Sequence, residues 1–312
     1  MQFPFQLLPA ADFDVVGFGT NAVDHLIRVP EYPAFDSKIE LTGYAREAGG
    51  EAASTMVGLR RLGLTTAYAG RFGADKNGEF GLQTLVDEGV DVSYTERVPG
   101  ATSQIAFIVI DERTGERTII WHRDEKLAYE PSEAPLAAAT RGKVLHLTPH
   151  DTQACIEMAK AAKEYGAVVS IDIDNMFDGI DGLLPFVDIF TASSSFPAKF
   201  NGSADERSVL REIRARFGCG VAGITRGSAG SIFLCEDVFI ETDGFEVPNG
   251  CKDTTGAGDA FRAGLLYGLL TGESLDESAR IANAVAALKC REPGARSALP
   301  EIQELNVLLK KI

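Results

Sequence analysis

Runs of small and β-branched apolar residues alternate along this chain with stretches whose apolar positions recur at helical spacing. Residues 14–19 (DVVGFG) read as a buried strand, and residues 52–63 (AASTMVGLRRLG) as a helix stopped by Gly63. A strand at 66–70 and a helix at 78–88 follow. The alternation resumes with strands predicted at 144–147, 168–172, 189–191 and 221–225, and helices at 152–165 and 205–217. Strand followed by helix, repeated in this way, predicts an α/β fold with three layers, a mainly parallel central sheet covered by helices on both faces.

Two stretches break the rhythm. Residues 31–47 carry Pro33 and Gly43, and residues 104–122 form a predicted hairpin around 112–116; both alternate like strands and neither leads into a helix. They are expected to form a small β-lid that excludes water over a site. No repeat, low-complexity tract or linker divides the chain, so residues 1–312 are expected to fold as a single domain.

Composition narrows the partners. The chain is 45% hydrophobic and 24% charged, which suits a full core, and its formal net charge of −15 opposes a polyanionic partner such as nucleic acid. It contains no apolar run of about 18 residues that would span a membrane, and its start lacks a basic leader, so a cytoplasmic protein is expected. The five cysteines are odd in number, widely spaced and without a C-x-x-C pair, which points to neither a disulfide framework nor a zinc site.

The chemistry concentrates at KDTTGAGDAF (252–261), which leads into an apolar helical run ending at Gly272. Gly256, Ala257 and Gly258 are small enough for their backbone amides to close around an anion, and a helix dipole would add positive potential there. A carboxylate at the rim of such a cradle is repulsive toward its contents. Asp259 is best explained as a base that takes the proton of an attacking hydroxyl. The plainer reading of the same string is a helix start capped by Thr254 or Thr255.

The string Asp253-Thr254-Thr255-Gly256-Ala257-Gly258-Asp259 resembles the C-terminal signature of the ribokinase-like (pfkB) family of carbohydrate kinases, and the resemblance extends over nearly the whole chain. It implies that Asp259 is the catalytic base and that the amides of Gly256, Ala257 and Gly258 form the anion hole. It implies ATP as phosphoryl donor with Mg2+, and a monovalent-cation site for K+ built from Asp253 and Thr255 with the loop at Gly294. Asn21 and Asp24 in GTNAVDHLI look like the family's first-strand substrate contacts, and Gly49-Gly50 looks like its sugar-binding glycine pair. Thr225, Gly227 and Gly230 in ITRGSAGS resemble its nucleotide-phosphate turn, and Asn283, Gly294 and Ala295 its adenine and cation loops. The implied partner is a small sugar-like molecule, and a homodimer through the β-lid is expected.

Two departures stand out. Where the family usually carries Asn-x-x-Glu after a strand, this chain has Ser193, Ser194, Ser195 and Phe196, so the glutamate that helps place magnesium-bound water is missing. Where the glycine pair normally leads to an asparagine that bonds sugar hydroxyls, Ser54 stands instead. Lys252 beside the signature offers an ammonium that can stand in for a cation. Arg117, Arg123 and Lys126 are the only cationic cluster near the lid, and Arg123 suits a sugar acid; an unphosphorylated acceptor is expected. Three alternatives compete. A nucleoside kinase of the same family is one, and a non-catalytic sugar sensor on the same fold is another. The third is an NAD site at GFGTNA (17–22), which fails because VDHLIRVPEYP reads as a strand ending in prolines rather than the helix a pyrophosphate needs.

Overall fold

Val15 and Val16 are adjacent on the first strand and point to opposite sides of it, yet both are fully buried. That is the mark of a strand covered on both faces, and it holds across the central sheet of the computed structural model, which describes residues 1–310. The strands are β1 (Phe13–Phe18), β2 (Ala22–Val29), β3 (Gly43–Gly49), β4 (Thr66–Gly73), β5 (Asp91–Val98), β6 (Ile105–Asp111), β7 (Arg117–His122), β8 (Gly142–Leu147), β9 (Val168–Ile173), β10 (Ile189–Ser193), β11 (Val221–Thr225), β12 (Ser231–Cys235) and β13 (Val238–Thr242). Nine of them form one sheet in the order β13-β12-β11-β10-β9-β8-β1-β4-β5, parallel throughout except for β12 and β13.

Val16 and Phe18 pack into one core with the helices Thr152–Tyr165 and Glu206–Phe217. Val15 packs into the other with the helices Glu51–Arg61, Ala257–Leu270 and Leu275–Lys289. The result is the three-layer α/β/α architecture that the strand and helix alternation predicts.

The remaining four strands make a second sheet in the order β3-β2-β6-β7, which stands over the C-terminal ends of the parallel strands as a lid. The lid differs from the expected one in its centre. Its second strand, Ala22–Val29, comes from outside the 31–47 and 104–122 stretches, and residues 30–42 carry no strand. Pro30 and Pro33 explain this, since neither supplies the N–H that a ladder needs. Register puts Asp24, Ala106, Trp121 and Glu47 in one row of the face turned to the main sheet, and Leu26, Ile108, Ile119 and Ala45 in the next. The opposite face carries Tyr44, Phe107 and Ile120, all exposed, with the His25 ring stacked against Tyr44 and Phe107.

Candidate active site

Two turns bring the lid, the sheet and two helices together. Gly50, with φ 92°, follows β3 and opens the helix Glu51–Arg61; a Cβ there would lie 2.3 Å from the Asn21 backbone, so only glycine lets the chain pass this close to the start of β2. Gly256, with φ 74°, opens the helix Ala257–Leu270 and packs against Ala295, where a Cβ would meet backbone at 2.8 Å. No side chain caps this helix, which removes the capped-start reading of Thr254 and Thr255. The turn is held instead by Asp253, whose carboxylate accepts from Thr255 N–H (2.9 Å), Thr255 Oγ1 (2.8 Å) and Gly294 N–H (2.8 Å). Ala257 N–H donates to Thr254 O, while the amides of Gly256 and Gly258 meet no protein acceptor among the described residues. Of the three cradle amides, Ala257 is therefore already engaged, because the turn closes on it.

Gly258 lies where two hollows meet. One, of about 210 Å3, is lined by Thr225, Gly227, Gly230 and Asn283 together with an apolar slot of Phe245, Val247, Ala286 and Ala287. All four residues expected at a nucleotide come together there. The Asn283 amide nitrogen is engaged, donating to Ser231 Oγ (3.1 Å) and Ala279 O (3.0 Å). The other hollow, of about 330 Å3, lies under the lid between Asp24, Gly50 and Glu51 on one side and Asp174, Asp259 and Arg262 on the other, with Ala106, Ile108, Ile119 and Trp121 above.

The second hollow is rich in acid. Burial, reinforced by Glu51, pushes Asp259 up to about 7. Desolvation and the neighbouring Asp174 raise Glu51 to about 7, and burial does the same for Asp24, against the pull of Arg296. His150 moves the other way, down to about 4, because burial and Arg123 disfavour its cation. Several polar atoms here have no protein hydrogen-bond partner among the described residues: Gln104 Oε1, His150 Nδ1 and Arg262 Nε. Buried polar atoms are ordinarily paired, so a cluster of unpaired ones around one hollow marks groups that bond a guest.

Other expected site residues are used elsewhere. Asn21 donates to the Tyr68 hydroxyl (2.8 Å) and Arg71 O (2.9 Å), bracing β1 against β4. Ser54 is fully buried and accepts from Arg296 Nε (3.2 Å), and that arginine also donates to Gly49 O (2.6 Å). Gly49 itself backs the Asp24 carboxylate, which occupies the space a Cβ would need. Arg123 is held by both oxygens of Asp151 (2.7 and 2.8 Å) and does not line the hollow, so it is not free to meet a sugar acid. The cationic cluster near the lid also disperses: Lys126 donates to Gly100 O, while Arg117 donates to Thr254 Oγ1 and lines the hollow.

The cation loop differs from the expected one. Asp253, Thr255 and Gly294 do meet, but the fully buried Lys289 reaches the same place, with Nζ donating to Asp253 O (3.0 Å) and 4.0 Å from Asp253 Oδ2. Lys252, the expected stand-in, pairs with Glu292 at the surface instead. Sequence reading also missed Arg262, which is 2% exposed and faces Asp172 and Asp174 (3.7 Å) at the end of β9. Its only signal was position, three residues after Asp259 on one helical face.

A family model, described as pfkB family carbohydrate kinase, matches residues 13–302. The chain belongs to the pfkB family of carbohydrate kinases. Among curated relatives, this pfkB kinase is 32% identical to a fructokinase of Klebsiella pneumoniae over 83% of its own length and 90% of the relative's. It is 25% identical to a nucleoside kinase of Methanothermobacter thermautotrophicus, covering 94% of each chain. Among solved structures it superposes on the Arabidopsis thaliana ribokinase complexed with ribose and ATP at a TM-score of 0.84, with 24% identity over 96% of this chain and 99% of the other. The pfkB kinase is thus a phosphotransferase acting on sugars or nucleosides. No helix among its described residues is long and apolar enough to cross a membrane.

Proposed function

We propose that this kinase transfers the γ-phosphoryl group of ATP to a hydroxyl of a small, unphosphorylated sugar or sugar-like acceptor, in the cytoplasm and through a single kinase domain, with Asp259 as the general base. The observation that carries this reading is the seam at Gly258. A slot with an apolar floor and a glycine turn opens on one side of it and an acid-lined hollow on the other, with Asp259, the next residue, lining that hollow. The adenine suits the slot of Phe245, Val247 and Ala286, the phosphates reach the turn at Gly227–Gly230, and the γ-phosphate arrives at the amides of Gly256 and Gly258.

The acceptor lies between Asp24 and the lid, with its hydroxyl against Asp259. Asp24 makes no hydrogen bond to protein among the described residues and is free to take a hydroxyl proton donor. Binding fixes donor and acceptor in line, and the preset amides stabilise the charge of the transferring group. Arg262 faces the same seam and would oppose that charge as a fixed cation.

Neither a cluster of metal-binding side chains among the described residues nor the serines at the end of β10 offers a cage for magnesium. The ion fits only as part of the nucleotide, held by phosphates and water and shielding their charge. A free acceptor agrees with the dispersal of Arg117, Arg123 and Lys126, of which only Arg117 lines the hollow. The exposed Tyr44, Phe107 and Ile120 on the outer lid face suit a homodimer joined through the lids.

A nucleoside acceptor is the second reading, favoured by Trp121, which stands on the lid with its ring edge-on to His150 at 6.2 Å. A phosphorylation panel of fructose, ribose, a keto-deoxy sugar acid and adenosine, followed by ADP release, tests both. ADP release with one sugar supports the first reading. Turnover of adenosine alone supports the second, and no turnover with any acceptor would favour a sensor.

A further inference from the structure

The cation site that the signature implies does not fit an ion in this chain. Asp253 is completely buried, and its two carboxylate oxygens already accept three hydrogen bonds, two from Thr255 and one from Gly294. The positive charge that a buried carboxylate requires is present covalently. Lys289, at the last turn of the helix Leu275–Lys289, is as buried as Asp253 and donates its ammonium to the Asp253 carbonyl. An added monovalent ion beside Asp253 would share that space with an ammonium of like charge. Burial lowers Lys289 on balance and Asp253 opposes that shift, as expected of an ion pair taken out of water.

We propose that Lys289 is a built-in cation that replaces the monovalent ion, so that the loop 253–256 and its anion-binding amides are held in place without potassium. Lys289 acts through Asp253 and touches neither substrate, which makes it a positioning residue. The ammonium neutralises Asp253, Asp253 fixes Thr255 and Gly294, and those two fix the turn whose amides at Gly256 and Gly258 meet no protein acceptor among the described residues. The inference rests on the kinase reading only for its effect on rate; its effect on cation binding stands apart from any reaction.

The test compares the parent with Lys289→Ala, which empties the ammonium position, and with Lys289→Met, which keeps the volume and removes the charge. Melting temperature is measured without substrates in potassium, sodium and tetramethylammonium chloride at matched ionic strength. The parent should melt at one temperature in all three salts. Lys289→Ala should melt lower in tetramethylammonium and recover on adding potassium, because an ion that binds only the folded state stabilises it by mass action. Lys289→Met should melt lower without any potassium response.

The second arm follows ADP release from ATP with fructose and with ribose. The parent should be indifferent to the salt, whereas Lys289→Ala should lose about tenfold or more in rate without potassium and regain it with potassium, as befits an anion hole that has lost its support. A parent that potassium stabilises or activates overturns the proposal. A folded Lys289→Ala that ignores potassium in both arms overturns it as well. If Lys289→Ala does not fold in any salt, the parent's salt profile still decides. If the parent releases no ADP with either sugar, the kinase reading with those acceptors fails, while the melting temperatures still decide whether Lys289 replaces the ion.

Discussion

Replacing Asp259 by asparagine keeps the shape of the helix start and removes the carboxylate, and the structure gives two separate magnitudes for the result. The first is catalytic: loss of a positioned general base should cost about 10²- to 10⁴-fold in turnover while ATP affinity stays level or tightens slightly. The second is energetic. Asp259 is buried and its pKa stands at about 7 instead of its ordinary 3.8, so ionising it in the folded protein costs about 4 kcal/mol more than in the unfolded chain. A raised folded pKa means that stability is fully present below 3.8 and is lost as pH climbs through about 7. The asparagine variant escapes that loss. Its stability advantage over the parent should therefore grow with pH, by about 2 to 3 kcal/mol between pH 5 and pH 8, less whatever part of the burden Glu51 retains. Urea unfolding of both proteins at the two pH values measures this, and ADP release measures the rate. The parent's kcat/KM should fall tenfold per unit below an apparent pKa near 7, because the protonated carboxyl accepts nothing. A variant that turns over within a few-fold of the parent refutes the base. A stability difference that is the same at pH 5 and pH 8 refutes the electrostatic account even if the rate falls.

Arg262→Gln should lower turnover by about 10²-fold with ATP and acceptor KM values moving only a few-fold, since a fixed cation at the seam acts most on charge that grows in the transition state; guanidinium chloride added at low concentration should restore part of the rate, and unchanged turnover in the folded variant would count against the role. Cys251 is the one exposed cysteine among the described residues and it lines the proposed nucleotide slot, so iodoacetamide should label it first and block ATP binding, and saturating ATP should slow the labelling; labelling at an ATP-independent rate would place the nucleotide elsewhere.

The fold was legible because its signals are local. Strands buried on both faces read as apolar runs, the helices between them read by their spacing, and the loop that opens the helix Ala257–Leu270 is a contiguous string whose small residues and acid speak for themselves. The lid was half legible. Its hairpin strands β6 and β7 stand in sequence beside their turn, but β2 joins them in parallel from about 80 residues away, and no local pattern records which sheet a strand will enter. Misplaced site residues share a different cause. Asn21, Ser54 and Arg123 occupy roughly the right neighbourhood, and each is taken by a partner distant in sequence: Tyr68, Arg296 and Asp151. Side-chain direction and the competition between partners decide such cases, and neither is written in spacing.

The same competition explains why two of the most informative residues carry little signal in the sequence. Arg262 stands in the helical run predicted after the signature and Lys289 on the helix Leu275–Lys289, and long cationic side chains on a helix usually belong to its wet face. Here both are buried, one on each of two helices that pack together, and each meets an aspartate delivered by another element: Asp172 by β9 and Asp253 by the signature turn. Burial pushes Asp172 well above the usual carboxylate range, and the Arg262 guanidinium beside it works against that shift. In the proposed mechanism the acids of the hollow hold hydroxyls and take a proton, and a site that also receives the phosphates of ATP has little tolerance for uncompensated negative charge. Placing the counter-charge on covalently held side chains fixes its position to the geometry of the helices. The site then depends less on ions recruited from solution and more on the packing of Ala257–Leu270 against Leu275–Lys289.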